Sequence, residues 1–247
     1  MKWVKRLSSV MAVMTMILIL VGCGKSGQGS ADKTDTIQNT NSASTTEKSA
    51  TTEKETANAA GQETSDTGND TGSDVLVVYF SRTGEQYAVG VIDKGNTAIV
   101  AEIIAEQTGA DLWEVLPEND QYPKTYKELT DVAKKEQNDN ARPAYAGEVP
   151  DLSRYDTVFI GAPVWWGDWP MIMYTFFENN QEGLAGKTLI PFSTHEGSGL
   201  SGFDRKLSSA CPNSKVVEGL AIRGNDCQND QDGVKKSVKG WLSGLGF

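Results

Sequence analysis

Three segments of the chain carry residue types that could bind a phosphate and a flat aromatic ring. The first is Ser81-Arg82-Thr83-Gly84, followed further along by Asn96-Thr97. It offers two hydroxyl groups, a flexible glycine and the free backbone N–H groups of a helix that begins near Asn96. Such groups hold an anion through hydrogen bonds and the helix dipole, without a metal and with little positive charge. We therefore predict a phosphate site here; an ordinary turn between a strand and a helix is the alternative.

The second segment is rich in tryptophan. Residues 160–169 read Ile-Gly-Ala-Pro-Val-Trp-Trp-Gly-Asp-Trp, so that Trp165, Trp166 and Trp169 lie close together in a loop punctuated by glycine and proline. An indole is costly to leave in water, and such a loop is a poor place to bury it in the protein's own core. The segment predicts a face for a flat aromatic partner. The alternative is that the tryptophans cap the sheet or pack on a neighbouring loop.

The third segment, residues 193–199, combines hydroxyl groups and glycines with His195, the one histidine of the chain. A lone histidine beside glycines is more often a hydrogen-bonded residue than a catalyst, so we predict no catalytic side chain. Residues 197–202 also fit the Gly-x-Gly-x-x-Gly pattern of dinucleotide sites. However, Glu218, the acidic residue at the required distance, falls inside the next predicted strand, which argues against that function. The Gly-x-Ser-x-Gly pattern of serine hydrolases is missing.

Alternating strands and helices position these segments. Apolar, β-branched runs predict strands at residues 75–80, 111–116, 157–160, 188–192 and 216–222. Amphipathic spacing predicts helices at residues 96–108, 122–137, 169–179 and 232–245, and another that ends near residue 210. We expect Asn96 to be an N-cap and residues 223–230 to be a loop. Five such units predict an α/β fold with an open, doubly wound parallel sheet, in which ligands bind beyond the carboxyl ends of the strands.

The three segments, taken in order, resemble the binding loops of the flavodoxin family. Residues 77–84 with Asn96-Thr97 resemble its phosphate loop, and residues 162–168 and 193–202 resemble its two flavin-flanking loops. The resemblance covers residues 74–247. It implies a five-stranded sheet in the order 2-1-3-4-5, non-covalent FMN, and either electron transfer or reduction of a quinone-like acceptor. One departure is that residues 85–95 interrupt the family's Thr-Gly-Asn-Thr, which suggests an extra flap over the site.

The resemblance also implies which residues bind the cofactor. The phosphate would be held by Ser81, Thr83, Gly84, Asn96 and Thr97, with Arg82 beside them. The flavin ring would be lined by Ala162, Pro163, Val164, Trp165, Trp166 and Gly167. Its pyrimidine edge would meet Ser193, Thr194, His195, Glu196, Gly197, Ser198 and Gly199. In this interpretation the flavin does the chemistry, and Asp168, Glu196 and the acidic domain lead us to expect a low reduction potential.

The N-terminus resembles a bacterial lipoprotein signal. Lys2, Lys5 and Arg6 precede an apolar stretch at residues 10–21, and Leu20-Val21-Gly22-Cys23 closes it. The resemblance implies cleavage before Cys23, lipidation of that cysteine, and anchoring at the extracytoplasmic face of the cell membrane. We therefore divide the chain into a signal peptide (residues 1–22), a lipidated Cys and Ser/Thr-rich tether (residues 23–73), and a folded domain (residues 74–247).

Charge and cysteine content exclude several other classes of site. Residues 74–247 hold 16 Lys and Arg against 25 Asp and Glu, a net charge of −9, which argues against a nucleic-acid partner. An apparent strand separates Cys211 from Cys227 by about 20 Å, whereas bridged Cα atoms lie within about 7 Å, so we predict no disulfide. Without a Cys/His cluster, a metal site is not indicated.

Two functions fit this sequence. The first is a lipid-anchored FMN flavoprotein with a small-molecule or protein redox partner, acting either as an electron carrier or as an oxidoreductase. The second is a surface lipoprotein that binds a ligand without redox chemistry, for which the leader and the tether suit equally well. The oligomeric state stays open.

Overall fold

The computed structural model of the chain describes residues 73–120 and 122–247. The lipoprotein signal, Cys23 and the tether up to residue 72 lie outside the described residues. The strands are β1 Val75–Tyr79, β2 Gly84–Gln86, β3 Gly90–Ile92, β4 Asp111–Glu114, β5 Leu116–Pro117, β6 Tyr145–Ala146, β7 Thr157–Pro163, β8 Thr188–His195, β9 Lys215–Val216 and β10 Leu220–Arg223. The helices are α1 Asn96–Thr108, α2 Tyr126–Asn138, α3 Met171–Asn179, α4 Gln181–Leu184, α5 Phe203–Ala210, α6 Gly224–Asn229 and α7 Gln231–Leu245, with a 3-10 turn at Leu152–Arg154.

The central sheet runs in the order β4-β1-β7-β8-β10, and every neighbouring pair is parallel. Numbered by βα unit this is 2-1-3-4-5, which confirms the predicted fold class. Side chains of β1 alternate between two cores: Val78 packs with α2, α3 and α5, and Val77 packs with α1 and α7. Both faces are therefore covered by helices, and this is why the strand reads as an unbroken apolar run.

The strands β7 and β8 extend three residues further than predicted. Their ladder continues to the pair Pro163 and Thr194, so Ala162 and Ser193 are fully buried strand residues and not loop residues. Pairing with a neighbour decides where a strand ends, and residue type alone does not show it.

The predicted strand at residues 216–222 is broken into β9 and β10. The backbone oxygens of Leu189 and Pro191 point toward this strand, since Val217 N–H donates to Leu189 O at 3.1 Å and a Cβ on Gly219 would lie 2.5 Å from Pro191 O. Proline has no N–H to donate on that side, and the facing strand is interrupted there.

Some helices also differ from the predictions, and α3 begins at Met171 and not at residue 169. Helix α2 begins at Tyr126 and not at residue 122, because Pro123 disfavours helical geometry at the residue before it. Residues 224–229, predicted as loop, form the short helix α6.

The insertion at residues 85–95 forms an antiparallel hairpin of β2 and β3. Two hydrogen bonds attach it to the start of α2. Glu85 N–H donates to Lys124 O at 2.8 Å, and Tyr126 N–H donates to the Glu85 carboxylate at 2.8 Å. Within the hairpin, the Ile92 side chain is buried, whereas the Val91 side chain is exposed.

Cys211 and Cys227 are both buried free thiols, which agrees with the prediction that they do not form a bridge. Burial raises the pKa of Cys211 to about 11 and that of Cys227 to about 12, so neither thiol is reactive at neutral pH. Within the described ranges, no helix has the length and hydropathy needed to span a bilayer, and no three His, Cys, Asp or Glu side chains form a metal-binding group.

Candidate functional site

A cleft of about 450 Å³ lies at the carboxyl ends of β1, β7 and β8. The predicted cofactor-binding residues that line it are Ser81, Arg82, Asn96, Thr97, Pro163, Val164, Trp165, Trp166, Thr194, His195, Glu196 and Ser198. Residues far apart in sequence therefore meet in one cavity, because parallel strands place their carboxyl ends at the same edge of the sheet.

The other predicted residues lie outside the lining of the cleft. They are Thr83, Gly84, Ala162, Gly167, Ser193, Gly197 and Gly199. Thr83 accepts a hydrogen bond from Lys124 Nζ at 3.1 Å, and Gly84 begins the hairpin with a φ of 90°. The hairpin thus directs Thr83 and Gly84 of the phosphate motif toward the segment before α2.

The N-terminus of α1 forms the polar end of the cleft. Its N-cap is Gly95 and not Asn96, and Ser81 Oγ accepts a hydrogen bond from Ala98 N–H at 3.0 Å. A Cβ at Gly95 would lie 2.1 Å from Ser81 Oγ, so only glycine allows this approach. The N–H groups of Asn96 and Thr97, the first two of the helix, have no acceptor within it and can bind an anion.

Side chains tie the same end of α1 to its neighbours. The hydroxyls of Thr97 and Thr194 are buried and lie 2.7 Å apart, which links α1 to β8. The Asn96 side chain accepts a hydrogen bond from Gln228 Nε2 at 2.7 Å, and a Cβ on Gly224 would lie 2.3 Å from Asn96 Nδ2. These contacts hold the anion-binding end of α1 in place before any ligand arrives.

Arg82 lines the cleft and is held there by several contacts. Its guanidinium pairs with Asp120 at 2.7 Å, donates to Tyr122 O, and lies over the Tyr122 ring at 5.4 Å. Its Nε is buried and has no hydrogen-bond partner in the described part of the chain, a donor that an anionic oxygen could satisfy. Burial raises the pKa of the Tyr122 hydroxyl, which donates to Glu136 at 3.2 Å and stays neutral.

The tryptophan segment is a tight turn. The backbones of Trp165 and Asp168 exchange hydrogen bonds of 2.9 and 3.0 Å, and the central residues Trp166 and Gly167 have φ of 51° and 73°. Positive φ at both central residues is the pattern of a type I′ turn. The Asp168 carboxylate accepts hydrogen bonds from Trp169 N–H and from the Tyr174 hydroxyl, and these bonds stabilise the turn.

The three tryptophans differ in environment. Trp165 packs edge-on against Phe80, with ring centroids 5.4 Å apart, while Trp166 is 53% exposed and donates its indole N–H to Thr130 O at 2.9 Å. Trp169 is only 1% exposed and stacks on Phe203 at 3.6 Å. The alternative of internal packing therefore holds for Trp169, whereas Trp165 and Trp166 face the cleft.

His195 and Glu196 are each engaged locally. Gly197 N–H donates to His195 Nδ1 at 2.9 Å, and burial lowers the pKa of the imidazole, so the neutral ring keeps a proton at Nε2. Glu196 accepts from Asn225 N–H at 2.6 Å and lies 3.5 Å from the Arg223 guanidinium. His195 can thus donate one hydrogen bond in the cleft, while much of the Glu196 charge is already paired.

Other residues of the lining were not among the predicted cofactor-binding residues. Gln86 and Tyr87 belong to the insertion at residues 85–95, which was predicted only as a flap over the site, and Gly224 lies beside Asn96 and Glu196. The remaining four are Tyr126, Leu129, Thr130 and Ala133 of α2, whose spacing is that of one helical face. This face of α2 both packs on the sheet and borders the cleft. The amphipathic pattern of the helix is the same for both roles and does not distinguish them.

Comparison with known proteins agrees with this geometry. The sequence model of the flavodoxin family matches residues 74–239, which is most of the described chain. The chain belongs to the flavodoxin family. No curated protein matches this flavodoxin-family chain.

Two solved structures are similar to this flavodoxin-family chain over nearly their whole length. A candidate flavoprotein of Bacteroides eggerthii is 30% identical, with a TM-score of 0.56, and the match covers 71% of this chain and 99% of that one. A second, from Bacteroides uniformis, is 30% identical with a TM-score of 0.53 and covers 68% of this chain and 99% of its own.

Proposed function

We propose that this flavodoxin-family chain binds FMN non-covalently and passes electrons from it to an acceptor. The observation that supports the proposal is the cleft itself, in which the N-terminus of α1 and the Trp165-Trp166 turn meet at the carboxyl edge of the sheet. A phosphate site at one end and an aromatic face at the other suit a molecule with both parts.

The residues present fit FMN. The Ser81 hydroxyl and the N–H groups of Asn96 and Thr97 would hold the phosphate, with hydrogen bonds taking the place of cationic side chains. Trp165 and Trp166 would flank the ring, and the Nε2–H of His195 and the Ser198 hydroxyl would donate to its polar edge. Bound FMN would supply the redox chemistry, accepting electrons from a donor and releasing them to the acceptor.

We favour an oxidoreductase over a simple carrier. The flavin of a carrier must be exposed to a protein partner, whereas residues of the hairpin and of α2 also line this cleft and Thr130 of α2 contacts Trp166. A quinone acceptor in the cleft would leave as the hydroquinone, and bound FMN would supply the two electrons and two protons that this reduction needs. No protein side chain needs to act as nucleophile in that reaction.

The proposed location is the extracytoplasmic face of the cell membrane, through lipid on Cys23. Its support is the sequence pattern of residues 1–23. Labelling with a radioactive fatty acid in cells would test it: wild type should be labelled and Cys23→Ser should not, and equal labelling of the two would overturn the proposal.

An absorption spectrum tests the cofactor. Purified full-length protein should show flavin bands, or acquire them on addition of FMN, and dithionite should bleach them. Colourless protein that ignores FMN would overturn the proposal and favour the non-redox ligand-binding lipoprotein.

A further inference from the structure

The cleft has a wall that the cofactor motifs do not account for. It consists of Gln86 and Tyr87 from the hairpin together with Tyr126, Leu129, Thr130 and Ala133 from α2. We call these six residues the hairpin wall. It borders the same cavity as the phosphate-binding and tryptophan segments, so a ligand lying on those segments turns one side toward it.

The hairpin wall is fixed and not a loose loop. Glu85 contacts the Lys124 carbonyl and the Tyr126 N–H, each at 2.8 Å. The rings of Tyr87 and Tyr126 lie 5.6 Å apart with 33° between their planes, so the hairpin and α2 share one aromatic surface.

Aromatic side chains with unburied faces surround the mouth of the cleft. Tyr87 is 60% exposed and Tyr126 37%, and Trp166 is 53% exposed. Large aromatic side chains are normally covered in a folded domain, and their clustering at a cavity indicates a surface that binds a partner.

The chemistry of the wall selects among such partners. None of its six residues carries a charge, and only Arg82 and Glu196 do so among all residues that line the cleft. Arg82 is paired with Asp120 and Glu196 with Arg223, although the buried Nε of Arg82 has no partner among the described residues. A nicotinamide dinucleotide brings a charged pyrophosphate, for which the six residues of the wall offer no cation, whereas a neutral planar molecule needs only aromatic faces and a few hydroxyl or amide groups such as that of Gln86.

We propose that the hairpin wall is the acceptor subsite, and that it binds a neutral planar quinone against Tyr87 and Tyr126. The inference rests on the proposed function, because it needs FMN on the opposite side of the cleft. The hairpin, which separates Gly84 from Asn96 in the phosphate motif, thereby contributes to the choice of acceptor.

The test uses the full-length protein loaded with oxidised FMN and the quinone menadione as probe. Calorimetry without reductant gives the dissociation constants of menadione and, on stripped protein, of FMN. We compare wild type with Tyr87→Leu and Tyr126→Leu, and with Val91→Ala as a control on the same hairpin. Val91 is 78% exposed and lies outside the cleft lining. The thiols of Cys211 and Cys227 are buried, which leaves menadione little chance of adding to them covalently, and every protein compared carries Cys23→Ser to remove the third thiol.

The proposal predicts that each tyrosine variant weakens menadione binding about fivefold, the size of one aromatic contact, and leaves FMN affinity within about twofold. In turnover the KM for menadione should rise while kcat changes little, and Val91→Ala should match wild type. Unchanged menadione affinity in both tyrosine variants overturns the subsite. A loss of FMN affinity with an unchanged menadione affinity also overturns it. So does a Tyr87→Leu variant in which the affinity for NADH falls and the affinity for menadione does not. Wild-type protein that retains no FMN overturns the proposed function first, and the inference with it.

Discussion

Trp166 shows how a single residue of the cleft is held in place. Its φ of 51° lies in the left-handed region, which costs a non-glycine residue on the order of 1–3 kcal/mol. Contacts from α2 stabilise it: the indole N–H donates to Thr130 O, Gln137 Nε2 donates to Trp166 O at 3.3 Å, and Lys134 lies 5.0 Å from the ring centre. A strained residue supported in this way is typical of a functional position.

Replacing the tryptophans one at a time separates their roles. Trp169→Ala should lower the free energy of unfolding by about 3–5 kcal/mol, because it removes a fully buried indole from the core. Trp165→Ala and Trp166→Ala should mainly weaken FMN binding, by about 0.5–1.5 kcal/mol each, the value of an aromatic contact. Urea denaturation and flavin titration measure the two effects. Unchanged FMN affinity in both cleft variants would show that Trp165 and Trp166 are structural.

Helix α1 is the element that joins the chemistry to the fold. Its buried face packs on the sheet through Ile99, Val100 and Ile104, and its first turn is held by Ser81 and Thr194. The close approach of Ser81 depends on the absence of a side chain at Gly95. Packing and anion binding are thus two properties of one helix.

Gly95→Ala should therefore impair both properties. The added Cβ would lie 2.1 Å from Ser81 Oγ and 2.8 Å from Arg82 O, so Ser81 must move and Ala98 N–H loses its acceptor. We expect a stability loss of about 1–3 kcal/mol, together with weaker FMN binding. The matched control is Gly240→Ala in α7, where no atom lies near the added Cβ; it should raise stability by up to about 1 kcal/mol and leave FMN affinity unchanged. Equal denaturation midpoints for Gly95→Ala and wild type would contradict this account of the α1 N-terminus.

At the scale of the whole molecule, the cleft and the contacts described for it lie within residues 73–120 and 122–247, the part of the chain that the structure describes. The first described residue, Ser73, accepts a hydrogen bond from Val75 N–H at 3.1 Å, and Asp74 O accepts from Asp156 N–H at 2.9 Å. The start of β1 is thus stabilised from within the domain.

Deleting residues 25–72 should leave the folded domain intact. Their composition is dominated by Ser, Thr, Gly, Asn, Glu and Lys, which cannot bury enough apolar surface to pack on the domain. We expect the melting temperature and the flavin content of the shortened protein to stay near those of the full chain, by calorimetry and absorption. A large loss of either would move the domain boundary toward the N-terminus.

Several features of the fold and the site were readable from the sequence because they depend on local pattern. The β1 run and the amphipathic stripe of α1 predicted βα units, and their alternation predicted a parallel sheet. The order of the strands, which the structure confirms, was implied by the resemblance to the flavodoxin family. Ser81 and Trp165 directly follow strands and Asn96 begins the first helix, which predicted that they would meet at one edge of the sheet, as they do in the cleft.

Other features were decided only by tertiary structure, because they depend on which surfaces meet. The sequence does not show that Trp169 stacks on Phe203 while Trp166 stays exposed, since both lie in the same loop. The insertion at residues 85–95 was expected to form a flap over the site, but the sequence does not show that it folds onto α2 or that Tyr87 reaches the cleft, because contacts across some forty residues leave no local periodicity. Residue pattern alone determined the βα units and the polar edge of the sheet, because both depend on local sequence. The ends of the strands, the shape of the cleft and the contact of the hairpin with α2 came from packing between distant segments.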